Sequence, residues 1–161
     1  MTLYGIGEPI EGAGAQIRYV RVPKTGPLAR PVDNTGFKTI TGVTTSELKG
    51  NQDTKDLPRD YESDPNAAWK DSRPGARGWS FTMSANKKNQ TEQAAMLQEL
   101  WDIWAAGDYV WIERLLPEDT HWRGGLGYLT DPTEPAPADG IVTFSSGVTG
   151  KGELTKVAKA A

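Results

Sequence analysis

One histidine, His121, and no cysteine leave this 161-residue chain little material for nucleophilic or metal chemistry. A thiolate nucleophile and a Cys/His or multi-His zinc site are excluded, and a Ser-His-Asp triad would depend wholly on His121. That residue stands beside Trp122 in a strand-like stretch, so a surface or partly buried structural role is expected for it. Carboxylate pairs suited to glycoside hydrolysis exist in sequence, Asp53 with Asp56 and Glu118 with Asp119. Each lies among polar residues, and the expected reading is solvated carboxylates. Neither "GIGEPIEGAG" nor "GVTGKGE" follows a strand into a helix, so no phosphate-cradling loop is met. Trp101, Trp104, Tyr109 and Trp111 could form a sugar-stacking platform, but their spacing is that of a helix face and its returning strand, which points to core packing. No cofactor is called for, and nothing in the sequence supports an enzyme.

The elements that must position these residues are mostly strands. Eighteen glycines and eleven prolines imply many turns between short extended segments. Such a length favours one domain, residues 1–161, with a single core. No basic region precedes an apolar run at the N-terminus, and no apolar run reaches membrane-spanning length, so a chain kept in solution, without a membrane partner, is expected. Net charge −3 argues against a protein that grips nucleic acid through phosphate neutralisation.

Along the chain, residues 1–15 read as a glycine-rich flexible arm. "AQIRYVRVP" alternates as a strand closed by Pro23, and "KTGPLARPVDNTG" is a loop by its turn chemistry. "FKTITGVTTSELKG" reads as one β-branched second strand. Residues 51–78 show little periodicity and interleave both charges with Tyr61, Trp69 and a Pro-Gly pair, which reads as a long functional loop. "GWSFTMSANKK" alternates Trp79, Phe81 and Met83 against small polar residues, a half-buried strand in which Trp79 packs at home. Residues 90–106 form the one convincing helix, with Asn89 and Glu92 spaced as a capping box, a Leu97/Leu100/Trp101/Trp104 stripe and Gly107 as its stop. "YVWIERLLPED", "THWRGGLGYLTD" and "IVTFSSGVTGKGELTKV" are further strands, the glycines of the second implying bulges or close backbone approach. The expected fold is mainly β: a β-sandwich or partly open barrel with one flanking α-helix.

The run "DLPRDYESDPNAAWKDSRPGARGWSFTMSA", followed in order by a helix, "LLPEDTHWRGGLGYLTD" and "DGIVTFSSGVTGKGEL", resembles the major tail tube proteins of long-tailed, siphovirus-like bacteriophages over residues 37–154. The resemblance implies a structural virion protein that polymerises as stacked hexameric rings into the tail tube, the conduit for genome delivery. Its implied partners are further copies of itself, the tape measure protein and the tail terminator and baseplate proteins; DNA passes through without tight binding. Its implied location is the virion tail, with assembly in the host cytoplasm. On this reading residues 51–78 are an interlocking assembly loop with Tyr61, Trp69, Lys70 and Arg73 at the interface and Trp69 as the aromatic anchor. Exposed strand edges, a liability for a monomer, would be removed by sheet closure between subunits.

Two alternatives remain open from sequence. A tube protein of a gene transfer agent or contractile injection system would look the same. A monomeric carbohydrate-binding β-sandwich would instead use Trp69 or Trp122 as a stacking platform.

Overall fold

Alternation in β1 (Gln16–Val22) sends Ile17 and Tyr19 into the main core, while Val20 and Val22, on the opposite face with Arg18, join a smaller cluster. The computed structural model describes residues 14–32, 34–56 and 72–159. The remaining elements are β2 (Lys38–Thr39), β3 (Val43–Asp56), β4 (Ser72–Asn86), α1 (Thr91–Ala106), β5 (Tyr109–Leu115), β6 (His121–Thr133), β7 (Thr143–Gly150) and β8 (Thr155–Ala158). All strands join one antiparallel sheet in the order β2-β1-β5-β6-β7-β4-β3, and β8 continues the β7 side of β6.

The stretch read as a single second strand is broken in two. Gly42 has φ +76°, and a Cβ there would stand 2.6 Å from the Asn86 carbonyl oxygen, so the chain turns at a position suited to glycine. The consequence is architectural. β2 and β3 lie at opposite ends of the sheet order, yet Ile40, Thr41 and Gly42 alone connect them. Four Cα steps reach at most about 14 Å. The sheet is therefore rolled until its two edges nearly meet, a partly open barrel. Arg114 of β5 donates to Ser46 of β3 at 3.4 Å, a contact between strands far apart in the sheet order. Burial pushes the Arg114 guanidinium below its ordinary range, and Asp119 opposes this.

The main core contains Tyr19, Trp79, Phe81, Leu100, Ile103 and Phe144 among others, with α1 supplying the helical share. Trp79, 4% exposed, packs at home as expected. Of the expected helix stripe, Leu97 and Leu100 are buried and Trp101 is half-buried, whereas Trp104 is 49% exposed. The buried stripe runs through Gln93, Met96, Leu97, Leu100 and Ile103, and Trp104 lies at its margin, where its ring meets Trp101 edge-on at 6.0 Å.

The helix start also differs from expectation. Gln90 is the N-cap and makes no side-chain cap, so the Asn89 capping box is not formed. Buried Gln93 fastens the entry instead: its Oε1 accepts from the Lys88 backbone N–H, and its Nε2 donates to Thr41 and Asn86 carbonyls. At the other end Gly107 adopts φ 73° and closes the helix as expected.

The β6 glycines give the close approach their spacing implied. A Cβ on Gly124 would lie 1.8 Å from the Ile112 carbonyl oxygen, and one on Gly127 2.6 Å from that of Thr149.

Candidate assembly surface

The residues considered for chemistry do not converge. His121 is exposed on β6, with Nδ1 2.9 Å from Thr120 Oγ1. Glu118 and Asp119 are exposed in the β5–β6 turn, while Asp53 and Asp56 are exposed on β3. Among the described residues no group of three His, Cys, Asp or Glu side chains is placed to hold a metal ion. Trp122, a stacking platform in the carbohydrate-binding alternative, is 8% exposed and lies beneath the Arg18 guanidinium, 4.0 Å from its ring.

The prominent surface feature is a long β-hairpin. β3 has fourteen residues and β4 fifteen, and their ladder runs from Val43↔Ala85 out to Asp56↔Ser72. This corrects the reading of residues 51–78 as one loop: 51–56 and 72–78 are paired strand. The alternation that marks a strand arises when one face is buried. Here residues 49–56 are all exposed, so both faces carry polar residues and no period-two signal exists. The Pro74-Gly75 pair likewise belongs to the strand. Pro74 lies within β4 opposite Thr54, beside a register shift between Gln52 and Thr54, the kind of irregularity at which a strand tolerates proline.

Of the residues expected at an assembly interface, Arg73 is exposed on β4, opposite Lys55. Tyr61, Trp69 and Lys70 lie outside the described residues, as do residues 1–13 of the expected N-terminal arm. Among the described residues β3 is the last strand of the sheet, with β4 as its one ladder partner, so its outer edge, the Ser46 carbonyl that accepts from Arg114 aside, offers backbone donors and acceptors to a further strand.

Sequence reasoning missed a second feature, a buried charge cluster on the other face of β5. Glu113 is 1% exposed; its Oε2 accepts from Arg18 Nε at 2.8 Å, and its Oε1 from Arg30 Nε at 2.7 Å and Trp111 Nε1 at 2.9 Å. The two guanidiniums flank the Phe37 ring at 4.7 and 5.0 Å. The cluster fastens the β1–β2 loop over the small Val22/Trp111/Leu126 core, so this face is covered. Glu113 falls on an alternating strand, and only the buried position of both strand faces distinguishes it from a solvated glutamate. The loop's first residues are held separately: Asp108 accepts from the Lys24 backbone N–H at 3.1 Å and Arg21 Nε at 2.7 Å. These contacts, the Lys24 bond foremost, hold its carboxyl below the ordinary range.

The fold of this chain, a rolled antiparallel sheet with one helix against it, is shared with solved structures. Three solved structures carry the comparison. A chain of the virion of a native gene transfer agent particle superposes with TM-score 0.69 at 16% identity, over 92% of this chain and 98% of that one. The SPP1 tail tube gives TM-score 0.65 at 14% identity, over 95% of this chain and 81% of the other. A chain of the anti-feeding prophage baseplate gives 0.59 at 4% identity, over 89% and 92%. No protein-family model matches the sequence, and no curated protein matches it.

Proposed function

We propose that this chain is a structural subunit of a tail tube, non-enzymatic, forming hexameric rings that stack into a conduit for the genome. The observation that carries the reading is the long β3 edge, exposed throughout residues 49–56, in a fold shared with tail proteins over nearly its whole length. An edge of that length is an aggregation hazard for a free monomer and an asset for a subunit whose neighbour pairs with it. Two neighbours belong to six-fold assemblies, a gene transfer agent tail with C6 symmetry and a six-fold symmetrised baseplate, and ring closure by six copies follows for this chain by analogy. Stacking of rings head to tail is a heterologous contact that does not close, and it yields a tube.

In this reading Tyr61, Trp69, Lys70 and Arg73 reach a neighbouring subunit or ring, the tube meets a tape measure protein inside and terminator and baseplate proteins at its ends, and it resides in the virion after assembly in the host cytoplasm. DNA passes without being held. The chain's 21 acidic and 18 basic residues permit a bore poor in unpaired cations, and Lys87 already pairs with Glu134 at 3.2 Å. A gene transfer agent or contractile injection tube is the same reading in another particle, favoured by the breadth of structures sharing the fold.

Negative-stain microscopy of purified protein, with size-exclusion chromatography, is the test. Rings or tubes are expected; a stable monomer at every concentration overturns the proposal.

A further inference from the structure

Two exposed patches of complementary chemistry lie beside α1. At its C-terminal end Trp104, Tyr109, Tyr128 and Leu129 line an open cleft of about 360 Å³ with Gly107 and Asp108. Trp104 and Tyr128 are 49% and 43% exposed, and large aromatic rings left in solvent mark interaction surfaces. Lys151 stands 5.7 Å over the Tyr109 ring and makes no ion pair among the described residues. Asp108, the cleft's carboxylate, is already neutralised by Arg21 at 2.6 Å. The free charge at the cleft is therefore positive.

Near the start of α1, the β6–β7 connection carries Pro135, Ala136, Pro137, Ala138, Asp139 and Ile141, all exposed, Ile141 at 66%. It is a built element. Gly140 N–H donates to the Pro137 carbonyl, closing a turn over Ala138 and Asp139, and its base is fastened by the Lys87 N–H to Val142 and Thr143 N–H to Pro135 bonds. Two prolines and a hydrogen-bonded turn lower the entropy cost of docking. Asp139 makes no ion pair among the described residues. The turn is apolar with one free negative charge, and the cleft is aromatic with one free positive charge.

We propose that the Pro135–Ile141 turn of one copy seats in the Trp104–Tyr109–Tyr128 cleft of the next, with Asp139 reaching Lys151. The inference rests on the self-assembly reading and names one contact within it. Between the patches stands Trp101, which donates to Glu134 at the base of the turn at 2.8 Å and meets the Trp104 ring at 6.0 Å. Two different patches joined from each copy to the next make a heterologous contact, which builds rings or filaments, whereas a self-complementary patch would stop at a dimer.

The chain's lack of cysteine allows a clean test. Copies carrying Tyr128→Cys are mixed with copies carrying Ala138→Cys, assembled and mildly oxidised, with Tyr128→Cys plus Lys156→Cys as the control pair. The expected result is a disulfide-linked dimer well above the control. In the cysteine-free chain, Asp139→Lys or Lys151→Asp alone should cut assembly roughly tenfold, and the double reversal should restore it. Tubes that form while the linked dimer stays at the control level, or that ignore both charge reversals, overturn this contact and leave the tail-tube reading standing. A wild-type chain that stays monomeric overturns both.

Discussion

Arg30 and Glu113, 83 residues apart, meet at 2.7 Å on a carboxylate that Glu113 also shares with Arg18, tying the β1–β2 loop to β5. Breaking a buried pair by removing one partner usually costs about 3–5 kcal/mol. Arg18 and Arg30 retain 16% and 19% side-chain exposure and can rehydrate in part, so Glu113→Gln should cost nearer the lower figure. Urea unfolding of the variant measures it; a loss under about 1 kcal/mol, the scale of a surface pair, would show the cluster to be dispensable.

Trp101 and Trp104 should separate cleanly. Trp101 packs edge-on against buried Phe144 at 6.0 Å and donates Nε1–H to Glu134 at 2.8 Å, so Trp101→Ala should lower subunit stability by about 3 kcal/mol. Trp104→Ala should change it by about 0.5 kcal/mol, as for an exposed site, while impairing assembly. Denaturant melts of both variants decide this, and equal losses would refute the difference in burial.

Gly150 lies beneath the buried Trp79 indole: a Cβ there would stand 2.3 Å from Cε2. Gly150→Ala should cost about 1–3 kcal/mol through overpacking and should change the tryptophan emission of the folded protein. A wild-type melting curve would mean that the sheet shifts to make room.

Asp108 predicts a pH dependence. Its folded-state carboxyl titrates below its unfolded value, so its contribution is present above the unfolded value and lost as pH falls through the folded one. Asp108→Asn should therefore narrow the stability difference between neutral and acidic solution. Parallel wild-type and variant melts across that acid range check it; identical pH profiles would contradict it.

Trp69→Ala tests the proposed arm. A folded subunit with reduced tube yield is expected, and unchanged tube yield and stability would remove Trp69 from the interface.

The sequence by itself determined the mainly β fold class, the 90–106 helix with its Gly107 stop, the buried Trp79 face and the absence of thiol chemistry, because each is written in local period or in composition. Tertiary structure decided the rest. The hairpin stems at 51–56 and 72–78 were illegible because a strand exposed on both faces has no hydrophobic period. Trp104 fell outside the core because a helical stripe wider than its docking surface leaves its margin in solvent, and spacing alone does not say where that surface ends. The division of residues 37–50 between opposite ends of the sheet depends on a turn at Gly42 whose need arises from Asn86 and Gln93, residues distant in sequence. Glu113 became the anchor of a loop because long-range folding brought two arginines to one carboxylate, and no local pattern encodes that meeting.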